Sequence, residues 1–520
     1  MKFNFSLKGR QPAGTHYTFV KAGAPDAQWA LYTALLNFSL NPSNDSLVSI
    51  RETIRSSEPE LIASLAIHFR EQNNFTRLAF LLSAELASLH GNDEKTGALI
   101  ARVVRQVNDL PAWLEYFQAV RSAQRAAGQK PGRAVRKHLN MLLNQLDEYQ
   151  YSRYSKHLQT GLKQALQFLQ PRAINRGQKA LFAKILKEQF PGRTTWEQEW
   201  HALHQQHYEG HEQRQVILRD KWKEGISTFR IGYTALLDNL HPMLCTGVSG
   251  KVLKLAAEYL GNAAAVTRAN HSPLRMLEVY RSLKQKDHGG TTMLIDALEQ
   301  AVLHSTWARS DFGRNAVSVI AMDISDSMKH PVGRPGSALR FDIGPLLALL
   351  WKSRGGQVIT GFIGNTWKQV DITGQPPIVP SEQGAHIRQY NYSVLATTDE
   401  LRLREGEAGY ATNVHLILQS LLRKGQVVDK VLVFTDSRLW DQRSFNQSAD
   451  SDLHGVWKTY KQMAPGARLY LFDLAGYGDS PLECPAEDVF LITGWQDRIF
   501  DVLQAYEEGK KSFETLHNMR

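Results

Sequence analysis

Asp323-Ile324-Ser325-Asp326-Ser327 closes an apolar, β-branched run that starts at Ala316. The run reads as a buried strand, and it ends abruptly in small side chains that carry oxygen. Asp323, Ser325 and Ser327 alternate, so an extended backbone turns all three the same way. A carboxylate and two hydroxyls pointing together suit a hard divalent cation that keeps part of its water, Mg²⁺ above all. The pattern alone is short and common, so the missing ligands have to come from elsewhere in the chain.

A second chemistry sits in residues 121–190. They hold fourteen Lys or Arg against three acids, a local balance of +11, so the other 450 residues of this +10 chain sum to −1. So concentrated a basic segment is an electrostatic footprint for polyanions. After the turn at Pro131-Gly132, Arg133, Arg136 and Lys137 fall at i, i+3 and i+4 on one helix face. Like charges so placed repel by roughly a few tenths of a kcal/mol per pair, which a counter-anion relieves. Phosphate is the natural one, because Arg forks bond its oxygens bidentately. Charge and position add Tyr154, Lys156, Lys163 and Arg172 to the candidate surface. Aromatic rings interleaved with cations can stack bases and neutralise phosphates, although such tyrosines also serve helix packing with their polar tips outward. These residues point to RNA or another nucleic acid.

A third stretch, Trp196 to His211, brings His201, His204 and His211 to spacings that could share a helix face and hold zinc. No cysteine is near, Gly210 interrupts the helix, and the Gln and Glu neighbours look solvated. A polar helical spacer is expected there.

The elements that carry these residues fall into two grammars. From Gln28 to about Val120, apolar residues recur at helical spacing in short segments joined by polar turns. That density predicts stacked, HEAT-like helical hairpins, with an irregular bundle as the other packing open to it. Helical patterning continues to about Leu303, and the boundary is placed in Ala308–Asn315, giving a helical RNA-binding region at 1–310 and an α/β domain at 311–520. Beyond Ser327 strands alternate with helices, the pattern of a parallel sheet covered on both faces. Lys430-Val-Leu-Val-Phe-Thr-Asp436 is a second buried strand with an oxygen-bearing end, and Thr412 opens a helix. In open α/β sheets ligands collect at the carboxyl ends of strands, so Thr412 and Asp436 supply the missing ligands.

Asp323-x-Ser325-x-Ser327, Thr412 and Asp436 together resemble, in order and spacing, the metal-ion-dependent adhesion site (MIDAS) of a von Willebrand factor A domain. A helical region followed by such a domain is similar to the Ro ribonucleoprotein family, bacterial type, whose helical part is the TROVE module. Lys130-Pro-Gly-Arg-Ala-Val-Arg-Lys137 and Leu146-Asp-Glu-Tyr-Gln-Tyr-Ser-Arg-Tyr154 look like that module's basic core. The resemblance implies a helical-repeat ring, small structured (Y-like) RNA on its basic face and misfolded RNA ends entering its hole. It places RNA contacts at Arg133, Arg136 and Lys137, and it raises the presentation of RNA to an exoribonuclease for quality control. The family's Gly-Gly-Thr before the third ligand is Gly409-Tyr-Ala-Thr412 here.

Composition agrees with such a reading. Hydrophobic content of 42% and charged content of 22% exclude a disordered or fibrous chain. No apolar run approaches the about eighteen residues of a membrane span. The N-terminal Met-Lys-Phe-Asn-Phe-Ser lacks the apolar core of a secretory signal, and the only cysteines, Cys245 and Cys484, suit a reducing compartment. A cytoplasmic protein with no membrane partner is expected. A second function class is a protein adaptor whose cation takes a partner's Asp or Glu, with RNA binding incidental. A hydrolase would need a nucleophile elbow, a phosphate loop or paired catalytic carboxylates, and none stands in convincing context, so no enzyme is expected.

Overall fold

The computed structural model describes residues 19–21, 27–40, 44–71, 75–154, 156–189, 196–205, 210–285, 289–332, 337–373, 393–410, 412–436, 453–476 and 488–518. Packing divides the chain into two compact units, residues 26–195 and residues 1–25 with 196–520.

The 26–195 unit is helical throughout its described residues, as the spacing of its apolar positions predicts. Helices Pro59–Glu71 and Thr76–His90 form one hairpin, and Glu94–Val103 and Asp109–Ala123 follow. Leu65, Phe69, Leu78, Leu82, Trp113 and Phe117 are buried between them. The Trp113 indole N–H donates to Ser83 Oγ at 3.0 Å, so the polar atom of this core ring is satisfied. Glu85, fully buried, accepts from Arg51 Nε at 2.6 Å; burial still pushes its carboxyl above the ordinary glutamate range.

The second unit contains a seven-stranded sheet: β1 (Phe19–Lys21), β2 (Ser318–Asp323), β3 (Val358–Ile363), β4 (Trp367–Gln369), β5 (Lys430–Thr435), β6 (Arg468–Asp473) and β7 (Val489–Thr493). The order is β1-β7-β6-β5-β2-β3-β4, with β7, β6, β5, β2 and β3 parallel and both edges antiparallel. Every residue of β2, β5 and β7 is buried, the burial that a parallel strand covered on both faces requires. Val319, Ala321, Val431, Val433, Leu469 and Leu471 meet Ile417, Leu421, Trp457 and Tyr460 on one face. The other face is aromatic: Phe312 stacks on Phe500 at 5.7 Å and meets Tyr470 edge-on at 5.2 Å. The α plus α/β class read from the sequence is the one observed.

Two features were outside the sequence reading. β1 closes one edge of the sheet by pairing Phe19 with Thr493, although strand signals near the N-terminus are weak. The polar stretch from Asn365 to Gly409 contains β4 and the helix Val394–Leu401 among its described residues.

Packing also parts from pattern at the domain boundary. The grammar changes between Arg309 and Ser318, yet the helices just before that change pack with the sheet domain. Arg281, on helix Pro273–Lys284, forks onto Asp342 at 2.6 and 2.7 Å and reaches Asp399 through Nε at 2.9 Å. Asp342 is completely buried, and Lys284 and Arg402 also pair with Asp399. Glu299 accepts from the backbone N–H groups of Leu395 and Ala396, both at 3.1 Å, and so caps the Val394–Leu401 helix from outside. No described helix is long and apolar enough to cross a membrane.

Removing one partner of a buried ion pair strands the other charge, which typically costs about 3–5 kcal/mol. Arg281→Met should therefore lower the unfolding free energy of the sheet-containing unit, read from urea titration, by that order, because Asp342 keeps no other side-chain cation among the described residues. A shift below about 1 kcal/mol would show that the fork carries little stability.

Candidate functional site

The chain crosses from one side of β2 to the other between β3 and β5, so β2 and β5 flank the switch point of the sheet. Asp323 ends β2, and Asp436 follows β5 by one residue; they are 1% and 4% exposed. Asp323 Oδ1 accepts from the Ser325 backbone N–H at 2.9 Å. Its Oδ2 accepts from Thr435 Oγ1 at 2.6 Å and from Thr412 Oγ1 at 3.2 Å. Ser325 Oγ lies 3.1 Å from Ser327 Oγ, and Ser327 Oγ donates to Asp436 Oδ1 at 2.7 Å. Asp323, Ser325, Ser327, Thr412 and Asp436 thus form one continuous chain of oxygens at the crevice. Burial pushes the Asp323 carboxyl above the ordinary aspartate range; hydrogen bonds from Thr435 and Ser325 oppose that rise, and Asp436 nearby adds to it. An all-oxygen set with two carboxylates and three hydroxyls matches the donors of a hard divalent cation.

The hydroxyls reach this point differently from the extended alternation expected. β2 stops at Asp323 and a 3-10 turn covers Asp326–Lys329, so Ser327 is brought in by a turn. Thr412 precedes the helix His415–Arg423 and sits in the loop before it. That loop is tied to the end of β3: Asn365 Oδ1 accepts from Tyr410 N at 3.1 Å, and Asn413 Nδ2 donates to Gly364 O at 3.1 Å. Gly409 has φ +88°, and a Cβ there would stand 2.6 Å from Asn365 Cγ, so one glycine is required at this bend.

In the helical unit, Arg133–Asn144 buries Ala134, Val135, Leu139, Leu142 and Leu143. Arg133 and Lys137 are exposed and Arg136, on the same face, is half-buried. None of the three has an ion-pair partner among the described residues. Asn92 Oδ1 accepts from the Arg133 backbone N–H at 2.8 Å and ties the helix start to the preceding hairpin.

No protein-family model and no curated protein sequence matches the chain. The structure is similar to the crystal structure of the Deinococcus radiodurans Ro (RSR) protein, with a TM-score of 0.58 and 14% identity over 90% of this chain and 94% of that one. The chain has the Ro-protein fold. The shared fold spans both the helical region and the von Willebrand factor A-like sheet domain, which the motif resemblance had implied.

On this Ro fold the further basic candidates fare unequally. Lys163 Nζ is paired with Glu188 at 2.5 Å. Tyr154 is half-buried, edge-on to Tyr151 at 6.4 Å, and burial raises its phenol pKa. Tyr151 is itself core, with its hydroxyl donating to Gln159 O at 3.1 Å. Each of these groups already has a partner within the protein. Arg172 is exposed beside Lys179 on a cleft of about 950 Å³. Lys156 opens the helix Lys156–Leu169, and its side chain lies outside the described residues. The side chains of His201, His204 and His211 lie outside them too, and helix Trp196–Gln205 ends before Gly210. That segment is less a polar spacer than expected, because Trp196 and Trp200 stack at 5.1 Å and both meet buried Trp222.

Two residues of the crevice were missed in the sequence. Thr435 holds Asp323, and Arg340 donates through Nη1 to Asp436 Oδ2 at 2.7 Å. Thr435 was findable as the last residue of β5; no local signal points to Arg340, which lies 96 residues from its partner.

The start of the basic helix rests on a glycine contact. A Cβ on Gly132 would come within 2.2 Å of Gly91 C and 2.6 Å of Asn92 N. Gly132→Ala should cost about 1–3 kcal/mol through forced backbone movement. Hydrogen exchange at Arg133 to Arg136 reads this directly, with faster exchange expected there than in helix Thr76–His90.

Proposed function

We propose that the protein binds RNA through Arg133, Arg136 and Lys137, and that its crevice holds a divalent cation, most readily Mg²⁺. The observation that carries the RNA reading is the placement of the three cations. They stand in the first two turns of their helix, where the helix dipole is already positive, with no acid in the first turn. Such a site is unfavourable by itself and becomes favourable when phosphate joins it. The resemblance to Ro ribonucleoproteins supports small structured RNA and misfolded RNA as ligands, and delivery to an exoribonuclease as the purpose. A cytoplasmic, non-catalytic role accords with the same resemblance.

In the crevice, Asp323, Ser325, Ser327, Thr412 and Asp436 would hold the cation. Bound there, such an ion would supply positive charge that attracts a carboxylate oxygen. That chemistry supports docking of an acidic partner, and an adaptor role built on the crevice alone is the second reading. Independence of the two activities separates them.

Two measurements test the proposal. Affinity for a hairpin RNA with a single-stranded tail should fall steeply with salt. The combined Arg133→Ala, Arg136→Ala and Lys137→Ala variant should flatten the slope of log affinity against log salt by roughly 2–3, since each phosphate contact contributes roughly 0.7–0.9. An unchanged slope would falsify the assignment of this face. Separately, Mg²⁺ at about a hundred times its dissociation constant should stabilise the wild-type sheet unit by about 2.7 kcal/mol. Asp323→Asn should lose most of that response and keep its RNA affinity; an equal response in both proteins removes the crevice from consideration.

A further inference from the structure

Arg340 has no role in a cation site as drawn so far, yet it is built into this one. Its guanidinium is 13% exposed and bonds Asp436 Oδ2, the oxygen that Ser327 does not use. Its Nε is buried and has no hydrogen-bond partner among the described residues. Its position is fixed from two sides. The backbone N–H of Arg340 donates to His330 O at 3.0 Å, and the 3-10 turn Arg340–Asp342 ends in the aspartate that Arg281 grips. Lys329 is engaged by Glu405 and Asp326, which leaves Arg340 as the cation facing Asp436 among the described residues.

The charges of these groups have a direct consequence. Asp323 and Asp436 contribute two negative charges when ionised, and Arg340 returns one. A divalent cation added to this set leaves the crevice at net +1, whereas without Arg340 it would be neutral. Beside two carboxylates that are almost fully buried, such a difference acts on any further ion that enters. Arg340 must therefore oppose the cation and favour an anion. Its unpartnered Nε–H is one further directed donor, suited to the second oxygen of a carboxylate whose first oxygen would meet the cation, and an ammonium in its place lacks that fixed direction.

We propose that Arg340 is a specificity-determining counter-cation of the crevice: it weakens divalent-cation binding and makes the loaded site selective for a carboxylate. This rests on the crevice being a cation site, and the test separates the two ideas. Mn²⁺ binding to the full chain is measured by calorimetry for the wild type, Arg340→Gln and Arg340→Lys, followed by acetate titration of each Mn²⁺-loaded protein, with circular dichroism as the check on folding.

Arg340→Gln should bind Mn²⁺ on the order of tenfold more tightly and acetate on the order of tenfold more weakly. Arg340→Lys keeps the charge and loses the fork, so its Mn²⁺ affinity should stay within about threefold of wild type while acetate weakens. Equal Mn²⁺ affinity in the wild type and Arg340→Gln, or weaker binding in the latter, overturns the proposal while leaving the cation site standing. Unchanged acetate affinity in both variants overturns it as well. Should Arg340→Gln not fold, Arg340→Lys decides alone: Mn²⁺ affinity raised tenfold, or acetate affinity equal to wild type, overturns it. Absence of Mn²⁺ binding in every protein removes the cation site itself.

Discussion

The fork of Arg281 onto Asp342 is the constraint on which the sheet-containing unit is organised. Taking both charges out of water is expensive, and only a bidentate contact with a further carboxylate, Asp399, offsets the loss. Asp342 in turn accepts from the Leu339 backbone N–H at 2.7 Å, which closes the 3-10 turn leading into helix Ile343–Ser353. The pair thus sets the turn that carries Arg340 toward Asp436. A charge on a helix of the helical region reaches the crevice through two ionic contacts and one short turn.

The crevice and the basic helix obey opposite solvation rules. At the crevice, charged groups are buried and each is answered by a neighbour: Thr435 and Thr412 on Asp323, Ser327 and Arg340 on Asp436. A ligand entering there has to replace bonds that already exist. On the Arg133–Asn144 helix Arg133 and Lys137 face solvent and Arg136 is half-buried, and with no ion-pair partner among the described residues their charge is screened by salt. A ligand arriving there releases counterions and breaks little. One chain can hold both because the two sites belong to different compact units, each with its own core.

Legibility followed the range of the interaction. Asp323, Ser325 and Ser327 were readable because an abrupt strand end is a local event, and Asp436 because β5 ends in the same way. Arg133, Arg136 and Lys137 were readable because helical spacing alone fixes their shared face. Lys163 and Tyr154 looked equivalent to them by composition, yet Glu188 and Tyr151 occupy them, and charge counting has no term for such neighbours. β1 was missed because three residues gain strand character only by pairing with β7, at the far end of the chain. The tryptophans around Trp222 were hidden among Gln, Glu and His, where the polar residues dominate the pattern.

The sequence by itself determined the class of fold, the sequence of elements and the oxygen-bearing side chains at the strand ends. All of these follow from periodicity and from the abrupt change of residue type where a strand stops. Tertiary structure alone decided the ionic partners. Arg340 lies 96 residues from Asp436, and Arg281 lies 61 and 118 residues from Asp342 and Asp399. A charged side chain carries no record of its partner, because Coulomb attraction depends on distance in space and on burial, and both are set only when the helices close on the sheet. The Asp-x-Ser-x-Ser motif named the crevice; the fold supplied the cation that already stands in it.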